Sequence, residues 1–504
     1  MSISCLQSSN TRGTFNGVAN RGSECPKSQS IPSNWVGLDA LTAMIDKWSF
    51  LPILAFVYAS IVMPLISFVS PPATLQSVIE GQLANRIFWP AMAASSVVLV
   101  MRNRSRIGKL ILPPHITCLL AFLAFAGAST LWAFKPELSF IRFTQEAMLL
   151  TSIILPTMLA PRTADVMRGL FLCFGIGLIL NVLLGAHPNG IVGYEGYFLD
   201  KNALGEFAAI VFLLALHEVL YRGPRRALGM IVLVIGGIVL FLTSSKTSIG
   251  FAFLAPFLAG FTLMTRKMMR ISPAIVVFIT ITLLVFFRDR VGWFVFQDQT
   301  FSARTIIWDF VFYEIGRRPL LGWGYQSFWL VGSDAPSIVE APGWVKTMPN
   351  AHNGYLDTML ELGPVGLALL VIAIMTTLHA IGRVANRDPA RAWVMLSLAI
   401  FIIFHNLLES SWMHNFEFGW MTFALVAAET GRCWRLCQPT KVTHGSRPST
   451  PASPGLSRRP KPIYSHKNCP SERETQMSGT GSLRVRPHRY SRAPQHAGRP
   501  RSVR

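Results

Sequence analysis

The residues of this chain best suited to chemistry are three cations and one histidine that stand beside long apolar segments. Lys201, Lys246 and Arg304 come from separate segments, and His352 follows them further along the chain. A guanidinium can hold phosphate oxygens through two parallel hydrogen bonds, and lysines add positive charge. Histidine titrates near neutral pH, so it is a natural general base. If these segments converge, they predict a site for an anionic, phosphate-bearing substrate with a base beside it.

Each of these four side chains also has a plain structural explanation. Lys201 and Lys246 could extend from a helix end to the membrane interface, and Arg304 could anchor to lipid headgroups. His352 could cap the helix that follows it or bond a carbonyl group. Taken singly, none of the four indicates a site, so the hypothesis depends on their convergence at one place.

The elements that must position these residues are membrane-spanning helices. Of the 504 residues, 51% are hydrophobic and only 14% are charged, whereas soluble domains carry about 25% charged residues. A spanning helix needs about 20 mostly apolar residues, and this window predicts an all-α polytopic membrane protein with about 12 transmembrane helices. The predicted spans are 48–69, 84–101, 111–133, 143–160, 167–186, 203–221, 227–243, 246–264, 271–288, 354–380, 392–409 and 415–432.

The basic residues predict the orientation of these spans. Clusters of Lys and Arg follow every even-numbered span, and basic loops stay in the cytoplasm. Both termini are therefore expected in the cytoplasm. The connections expected on the other side are 70–83, 134–142, 187–202, 244–245, 289–353 and 410–414.

The connection 289–353 is much longer than the others. Loops of this length without a domain of their own are uncommon and usually functional. Within it, residues 302–316 (SARTIIWDFVFYEIG) are predicted to form a helix, and its Trp and Tyr favour a position along the membrane surface. Since Arg304 lies in this helix and His352 near the end of the loop, we expect the loop to build or cover the site.

Two polar segments flank the membrane domain, which is expected at residues 47–437. Residues 1–46 are rich in Ser and Asn, which favours a disordered cytoplasmic segment rather than a cleavable signal peptide. Residues 438–504 contain 14 Lys/Arg and 2 Asp/Glu, which is over half of the net charge of +21. With few large apolar residues, this stretch is expected to be a disordered basic cytoplasmic tail near anionic lipids, without a nucleic-acid partner.

Motifs of several other chemistries do not occur in the sequence. It has no Walker loop, no HExxH and no DxD pair of the kind that holds a metal-bound nucleotide. We therefore expect no metal and no cofactor. A phosphate site with a base, on the outer face and without nucleotide, suggests an activated lipid phosphate as the donor.

The motifs around these residues resemble the O-antigen ligase/polymerase family in order and spacing, and within it the bacterial exopolysaccharide polymerases. They are KNALG, SSKTS, FSARTIIWDF with RRPLLGWGYQSFW, and AHNGYLDTMLELGPVG. The resemblance covers roughly residues 110–430. It implies a metal-independent, multi-pass glycosyltransferase of the bacterial inner membrane. Such an enzyme moves glycan from undecaprenyl pyrophosphate to a hydroxyl group on the periplasmic face, in exopolysaccharide or O-antigen biosynthesis.

By this resemblance, Arg304 matches a loop arginine that holds the pyrophosphate and His352 matches the base, which makes both catalytic candidates. Lys201 and Asn202 match the turn before a span and are expected to bind substrate. Lys246 stands where many members have Arg, and an ammonium group cannot reproduce a bidentate grip on phosphate.

The remaining expected substrate-binding residues are Asn353 and three aromatic residues, Trp308, Trp323 and Tyr325, which could stack on sugar faces together with Trp329. Pyrophosphate is a good leaving group that needs electrostatic stabilisation, whereas the acceptor hydroxyl needs a base. Attack opposite the leaving group would invert the anomeric configuration. Expected partners are a polyprenyl-pyrophosphate-linked donor, a glycan acceptor and membrane lipids, with a chain-length regulator and a flippase as further candidates.

Two questions stay open at the level of sequence. A polytopic transporter or flippase for lipid-linked glycans is the main alternative function, although it predicts charges near span centres and two similar halves. A non-catalytic assembly partner of a polysaccharide machine is a third possibility. Within the family, a ligase and a polymerase differ in their acceptor, and the sequence does not separate them.

Overall fold

A computed structural model of the protein describes residues 50–71, 82–104, 112–160, 164–185, 193–221, 225–287, 289–290, 293 and 303–436. The expected N-terminal segment 1–46 and the basic tail 438–504 lie outside the described residues. So does residue 302, where the predicted loop helix was expected to begin.

Thirteen long helices make up most of the described part of the chain. They are α1 (Phe50–Val69), α2 (Leu83–Arg102), α3 (Pro114–Ser129), α4 (Pro136–Leu159), α5 (Ala164–Leu184), α6 (Lys201–Leu220), α7 (Arg226–Leu242), α8 (Lys246–Met269), α9 (Pro273–Phe286), α10 (Arg304–Arg317), α11 (Gly354–Val384), α12 (Pro389–His405) and α13 (Phe418–Leu436). A one-turn helix, Pro336–Val339, and a 3₁₀ turn, Gly343–Thr347, lie between α10 and α11.

The sequence marks where many of these helices begin. Helices α3, α4, α9 and α12 each carry a proline in the first turn, where the missing N–H would have no partner in any case. Helices α6 and α11 begin after Asp200 and Asn353, whose side chains accept hydrogen bonds from backbone N–H groups of the first turn.

The prediction of an all-α polytopic membrane protein is confirmed. Seven of the described helices (α1, α2, α4, α5, α6, α8 and α11) are long and apolar enough to cross a membrane. Four shorter apolar helices (α3, α7, α9 and α12) and α13 coincide with the other predicted spans. Every predicted span thus overlaps one helix, while the number that cross the membrane stays a prediction.

The interior of the bundle is formed by α6, α12 and α13. In α12 nearly every residue from Val394 to His405 is buried, and α8 packs along it. Helices with one exposed apolar side, such as α7 and α9, surround this centre: Phe241 and Phe286 are among their exposed residues. An exposed apolar surface of this kind suits contact with lipid.

The beginnings of α2, α4, α6, α8, α11 and α13 lie at one end of the bundle, called the site end below. Above it, α10 and the segment leading to α11 form a second apolar cluster of their own, which includes Ile307, Trp323, Phe328 and Val345. The predicted loop helix is therefore present as α10. Its outer side exposes Ile306, Phe312 and Tyr313, and its position along a membrane surface stays a prediction.

A break in α11 ties this loop to the bundle. Gly363 has φ +64°, and Pro364 lacks the N–H that would bond the carbonyl of Leu360. Trp323 N and Gly324 N bond the carbonyls of Leu360 and Glu361 instead, at 2.9 and 2.8 Å. A Cβ at Gly322 would lie 2.5 Å from the backbone of Glu361. The Gly-Trp-Gly motif is thus explained by close approach to a broken helix.

Candidate functional site

A cavity of about 280 Å³ lies at the site end, where α6, α8 and α11 begin. Lys201, Lys246, Arg304 and His352 all line it, so the four segments do converge. Its other lining residues are Asn202, Ser244, Ser245, Thr247, Ile307, Trp344 and Met348. Three cations around one cavity make it suited to an anion; it is called the cationic cavity below.

Glu409 joins the two catalytic candidates. Its carboxylate accepts a hydrogen bond from Nη2 of Arg304 through Oε1, and its Oε2 lies 2.8 Å from Nδ1 of His352. When Nδ1 of a neutral imidazole donates to a carboxylate, the lone pair stays on Nε2. A carboxylate that holds a histidine in this way fixes the ring as an oriented base.

The charge of Glu409 is maintained by its two partners. Burial would raise the pKa of this carboxyl group, but the hydrogen bond with His352 and the positive charge of Arg304 outweigh burial and lower the pKa. Glu409 is 8% exposed and Arg304 is 9% exposed. A buried ion pair is costly unless geometry and hydrogen bonds compensate, so this pair indicates a position kept for more than stability.

Four segments enter the cationic cavity through strained backbone. Leu199, Ser244, Ala303 and His352 all have positive φ, between +48° and +66°. Three of them come directly before or within two residues of a cation that lines the cavity, and the fourth is the candidate base. Residues other than glycine rarely adopt this conformation, and such strain is typical of functional sites.

Arg304 is positioned by the buried side of α10. Ile307, Phe310 and Val311 pack into the apolar cluster of the loop, while Arg304 stands at the first turn of the same helix. Because α10 is fixed along its length by this packing, its first residue reaches the cavity with little freedom. The guanidinium therefore belongs to a rigid element rather than to a loose loop.

The beginnings of α6 and α8 are joined by a polar chain. Ser245 Oγ lies 3.1 Å from Oδ1 of Asn202 and 3.0 Å from Oγ of Ser248. Ser248 in turn lies 3.1 Å from Nε2 of the buried His405. Asn202 therefore holds α6 against α8 as well as lining the cavity.

The other predicted substrate-binding residues do not line the cationic cavity in this structure. The side chain of Asn353 caps α11, accepting from the N–H groups of Tyr355 and Leu356 at 3.1 Å each. Trp308 donates from Nε1 to the carbonyl of Ala351 at 3.0 Å. Both residues thus hold the loop that carries His352.

Trp323 and Tyr325 are core residues of the described structure. Trp323 is 4% exposed and donates to the carbonyl of Glu314. The guanidinium carbon of Arg318 lies 4.2 Å from the centroid of the Trp323 ring. Tyr325 is fully buried and donates from its hydroxyl to the carbonyl of Met413 at 2.7 Å. The structure gives both rings packing partners within the protein where stacking on sugars was expected.

Glu409 is the residue that the sequence analysis missed. It was placed at the end of the predicted span 392–409, whereas α12 ends at His405 and Glu409 lies in the connection to α13. The available signal was an acidic residue, in Glu409-Ser410-Ser411, at the outer end of a span. As to metals, the described residues contain no group of three or more His, Cys, Asp and Glu side chains arranged to hold an ion.

Comparison with known proteins finds a family model that matches part of the chain. Residues 231–371 match the family model described as O-antigen ligase. This segment contains Lys246, Arg304 and His352. The resemblance predicted from the motifs is confirmed. Lys201 and Glu409 lie outside the matched segment. The fold brings Lys201 to the cavity and Glu409 to two residues of the matched segment that line it, Arg304 and His352.

Two curated relatives share part of this chain. The exopolysaccharide production protein ExoQ of Rhizobium meliloti is 24% identical over 282 residues, which cover 51% of this chain and 63% of that protein. A Rickettsia conorii protein, whose name assigns it provisionally as a polysaccharide ligase, is 28% identical over 106 residues, covering 21% of this chain and 25% of that protein. The chain thus matches less than two thirds of the length of either relative.

Proposed function

We propose that this protein is a membrane glycosyltransferase of polysaccharide biosynthesis. In this proposal it transfers a glycan from undecaprenyl pyrophosphate to a hydroxyl group at the periplasmic face of the bacterial inner membrane. The observation that carries the proposal is the cationic cavity, where three cations surround a histidine held by a carboxylate. The family match and the names of the two relatives support a polysaccharide substrate.

The cations bind and stabilise the pyrophosphate of the donor. Arg304 is placed to bond phosphate oxygens, and Lys201 and Lys246 add charge around the same cavity. Negative charge develops on the pyrophosphate as its bond to the sugar breaks. Donors fixed in advance at such a position contribute a few kcal/mol each, so in this proposal the leaving group needs no metal.

His352 accepts the proton of the acceptor hydroxyl. The oxygen attacks the anomeric carbon, the bond from that carbon to the pyrophosphate oxygen breaks, and its electron pair leaves with the polyprenyl pyrophosphate. The proton moves to Nε2 of His352, while Glu409 stabilises the imidazolium through Nδ1. Because the attack comes opposite the leaving group, the anomeric configuration inverts.

Polymerisation and ligation use the same chemistry and differ in the acceptor of the glycan. The two activities leave different lipids behind when the gene is deleted. A polymerase defect accumulates single lipid-linked repeat units, whereas a ligase defect accumulates full-length lipid-linked chains. Mass spectrometry of the lipid-linked glycans of a deletion strain distinguishes the two.

The proposal is tested with the purified full chain in lipid nanodiscs and the lipid-linked repeat units of the deletion strain. We expect longer lipid-linked glycan and free polyprenyl pyrophosphate, in the presence of EDTA, with an inverted linkage by NMR. Export of labelled glycan from proteoliposomes without any new glycosidic bond would favour a transporter. A strict requirement for a divalent metal, or retention of configuration, would contradict the mechanism.

A further inference from the structure

A second cavity, of about 240 Å³, lies at the site end beside the first turns of α2 and α4. Its lining is unlike that of the cationic cavity, because it contains several carboxamide side chains among apolar residues. A carboxamide carries two N–H donors and one acceptor oxygen without net charge. It is called the amide cavity below, and its carboxamide residues are Gln82, Asn85, Gln145, Gln326 and Asn415.

The charges in the amide cavity are balanced. Its lining includes one guanidinium, Arg142, and one carboxyl group, Glu361. Both are used to hold the same loop residue: Arg142 donates to the carbonyl of Gln326 at 2.6 Å, and Glu361 accepts from its N–H at 2.9 Å. The two charges cancel, so the lining is polar without a net positive charge. Some carboxamide atoms also bond the protein, such as Nε2 of Gln326 to the carbonyl of Met413.

Two polar atoms of the lining residues lack a partner. Oε1 of Gln82 and Nε2 of His414 are buried and have no hydrogen-bond partner in the described part of the chain. Buried polar groups are nearly always bonded, so each exception calls for an explanation. Trp329 and Phe416 add apolar surface to the same cavity. Amides, two unpartnered polar atoms and ring faces together suit a ligand with many hydroxyl groups, which both donate and accept.

Residues that are adjacent in the sequence form part of a wall between the two cavities. Met348 lines the cationic cavity, and its neighbour Pro349 lines the amide cavity. Asp357 crosses the wall: it accepts from Nε1 of Trp329 at 2.8 Å on one side, and from the N–H of Ala351, the residue before His352, at 3.1 Å on the other. The amide cavity is thus linked through Asp357 to the backbone that precedes the candidate base.

We propose that the amide cavity binds uncharged sugar residues of the acceptor glycan and presents its hydroxyl end to the cationic cavity. This inference rests on the proposed function, since it names the second substrate of the same reaction. It assigns the donor pyrophosphate and the acceptor sugars to different cavities with different chemistry. Acceptor affinity is then set by uncharged side chains, and donor affinity by cations.

The experiment blocks the amide cavity and measures two probes on the full chain in nanodiscs. One probe is undecaprenyl pyrophosphate; the other is the repeat-unit oligosaccharide released by mild acid from the deletion strain's lipid-linked pool. Gln145→Trp fills the cavity, and Gln145→Leu removes the amide at similar size. Phe140→Trp is the matched control, because Phe140 lies on α4 outside the cavity lining and is 59% exposed.

We expect Gln145→Trp to weaken oligosaccharide binding at least tenfold and Gln145→Leu severalfold, while undecaprenyl pyrophosphate binds both within twofold of the unaltered chain. The acceptor KM should rise with little change in kcat. Phe140→Trp should change neither probe. Unfolding temperatures of the variants identify any that fail to fold. If Gln145→Trp fails to fold, oligosaccharide binding by Gln145→Leu tests the inference.

Oligosaccharide binding that is unaffected by both Gln145 variants would overturn the inference, as would an unaltered chain that binds no oligosaccharide at millimolar concentration. Loss of undecaprenyl pyrophosphate binding in Gln145→Trp would also contradict it, because the cavities would not be separate. By contrast, a chain that binds the oligosaccharide in the amide cavity but never binds undecaprenyl pyrophosphate or forms a glycosidic bond would contradict the proposed function alone.

Discussion

The cationic cavity and the amide cavity lie side by side at one end of the same bundle, yet they are built by different means. Residues with positive φ lie at both cavities, but around the cationic cavity separate segments deliver single charged side chains. The amide cavity is lined by uncharged side chains, with its two charged groups bonded to the backbone of Gln326. One cavity concentrates charge for an anion, and the other offers hydrogen bonds to a neutral ligand.

The wall between the two cavities holds the segment that carries His352. Asp357, Ser410 and Glu409 lie at or near it, and each bonds residues of the 349–353 segment. Asp357 accepts from the backbone N–H of Ala351. The hydroxyl of Ser410 donates to Asp357 and accepts from the N–H of Asn353. Glu409 bonds the ring of His352. The candidate base is thus held both through its backbone and through its ring. Changes at the backbone contacts and at the ring contact are therefore expected to have different effects on transfer.

Loss of Glu409 should have the largest effect after that of the base itself. In Glu409→Gln the shape is kept, but Arg304 loses its ion pair and His352 its carboxylate, so we expect kcat to fall by about 10²- to 10⁴-fold. Donor binding should hold or tighten, since a negative charge has left the cavity. The matched control is Glu340→Gln, a half-exposed carboxylate of the same loop that pairs with Arg317. If Glu409→Gln and Glu340→Gln had equal kcat, Glu409 would have no role in the mechanism.

Arg304→Lys should reduce transfer by about 10²- to 10³-fold, because one ammonium group cannot replace a preorganised guanidinium. We expect a rise in the donor KM and a fall in kcat, measured at constant protein level in the membrane. Arg317→Lys, at the other end of α10, is the control and should be near normal. If Arg304→Lys made polymer at the usual rate, the cationic cavity would not be gripping the pyrophosphate through this residue.

Lys246→Ala should weaken donor binding by about tenfold, which corresponds to about 1.4 kcal/mol. The effect is expected to be smaller than that of Arg304 because Lys246 is exposed at the start of α8. It should also shrink as salt is added, since exposed charges are screened. Lys267→Ala, at the opposite end of the same helix, provides the comparison. If Lys246→Ala changed oligosaccharide binding and left donor binding unchanged, the assignment of the donor to the cationic cavity and the acceptor to the amide cavity would be contradicted.

The smallest effect is expected at Asn353, whose side chain caps α11 beside the wall. Asn353→Asp keeps an acceptor for the first-turn N–H groups and should preserve both stability and transfer. Asn353→Ala removes the cap and should cost about 1 kcal/mol of unfolding free energy, seen as a lower unfolding temperature with modest loss of kcat. A large rise in donor KM in both variants would restore Asn353 to substrate binding.

The sequence was sufficient to predict the helices and the convergence of the charged segments. Apolar windows of membrane length and the alternation of basic loops depend on local composition, so every predicted span overlaps a helix. The convergence of Lys201, Lys246, Arg304 and His352 followed from motif order together with the expected side of each connection.

The sequence did not reveal how the site is held. Glu409 is far along the chain from Arg304 and His352, and only packing brings its carboxylate to both. Trp323 and Tyr325 were expected to meet sugars because aromatic residues in a loop suit that role, but burial under α10 and beside α4 gives them partners in the protein. The amide cavity was missed because carboxamides scattered over five positions carry no pattern in sequence.

The central claim is that His352 acts as the base without being needed for donor binding. It is tested by comparing His352→Ala with the unaltered chain in nanodiscs, for binding of undecaprenyl pyrophosphate and for transfer of lipid-linked repeats in EDTA. We predict donor binding within about threefold of normal, together with a loss of transfer of about 10²- to 10⁴-fold, the range typical for removal of a general base. Turnover of His352→Ala at the rate of the unaltered chain would contradict the account.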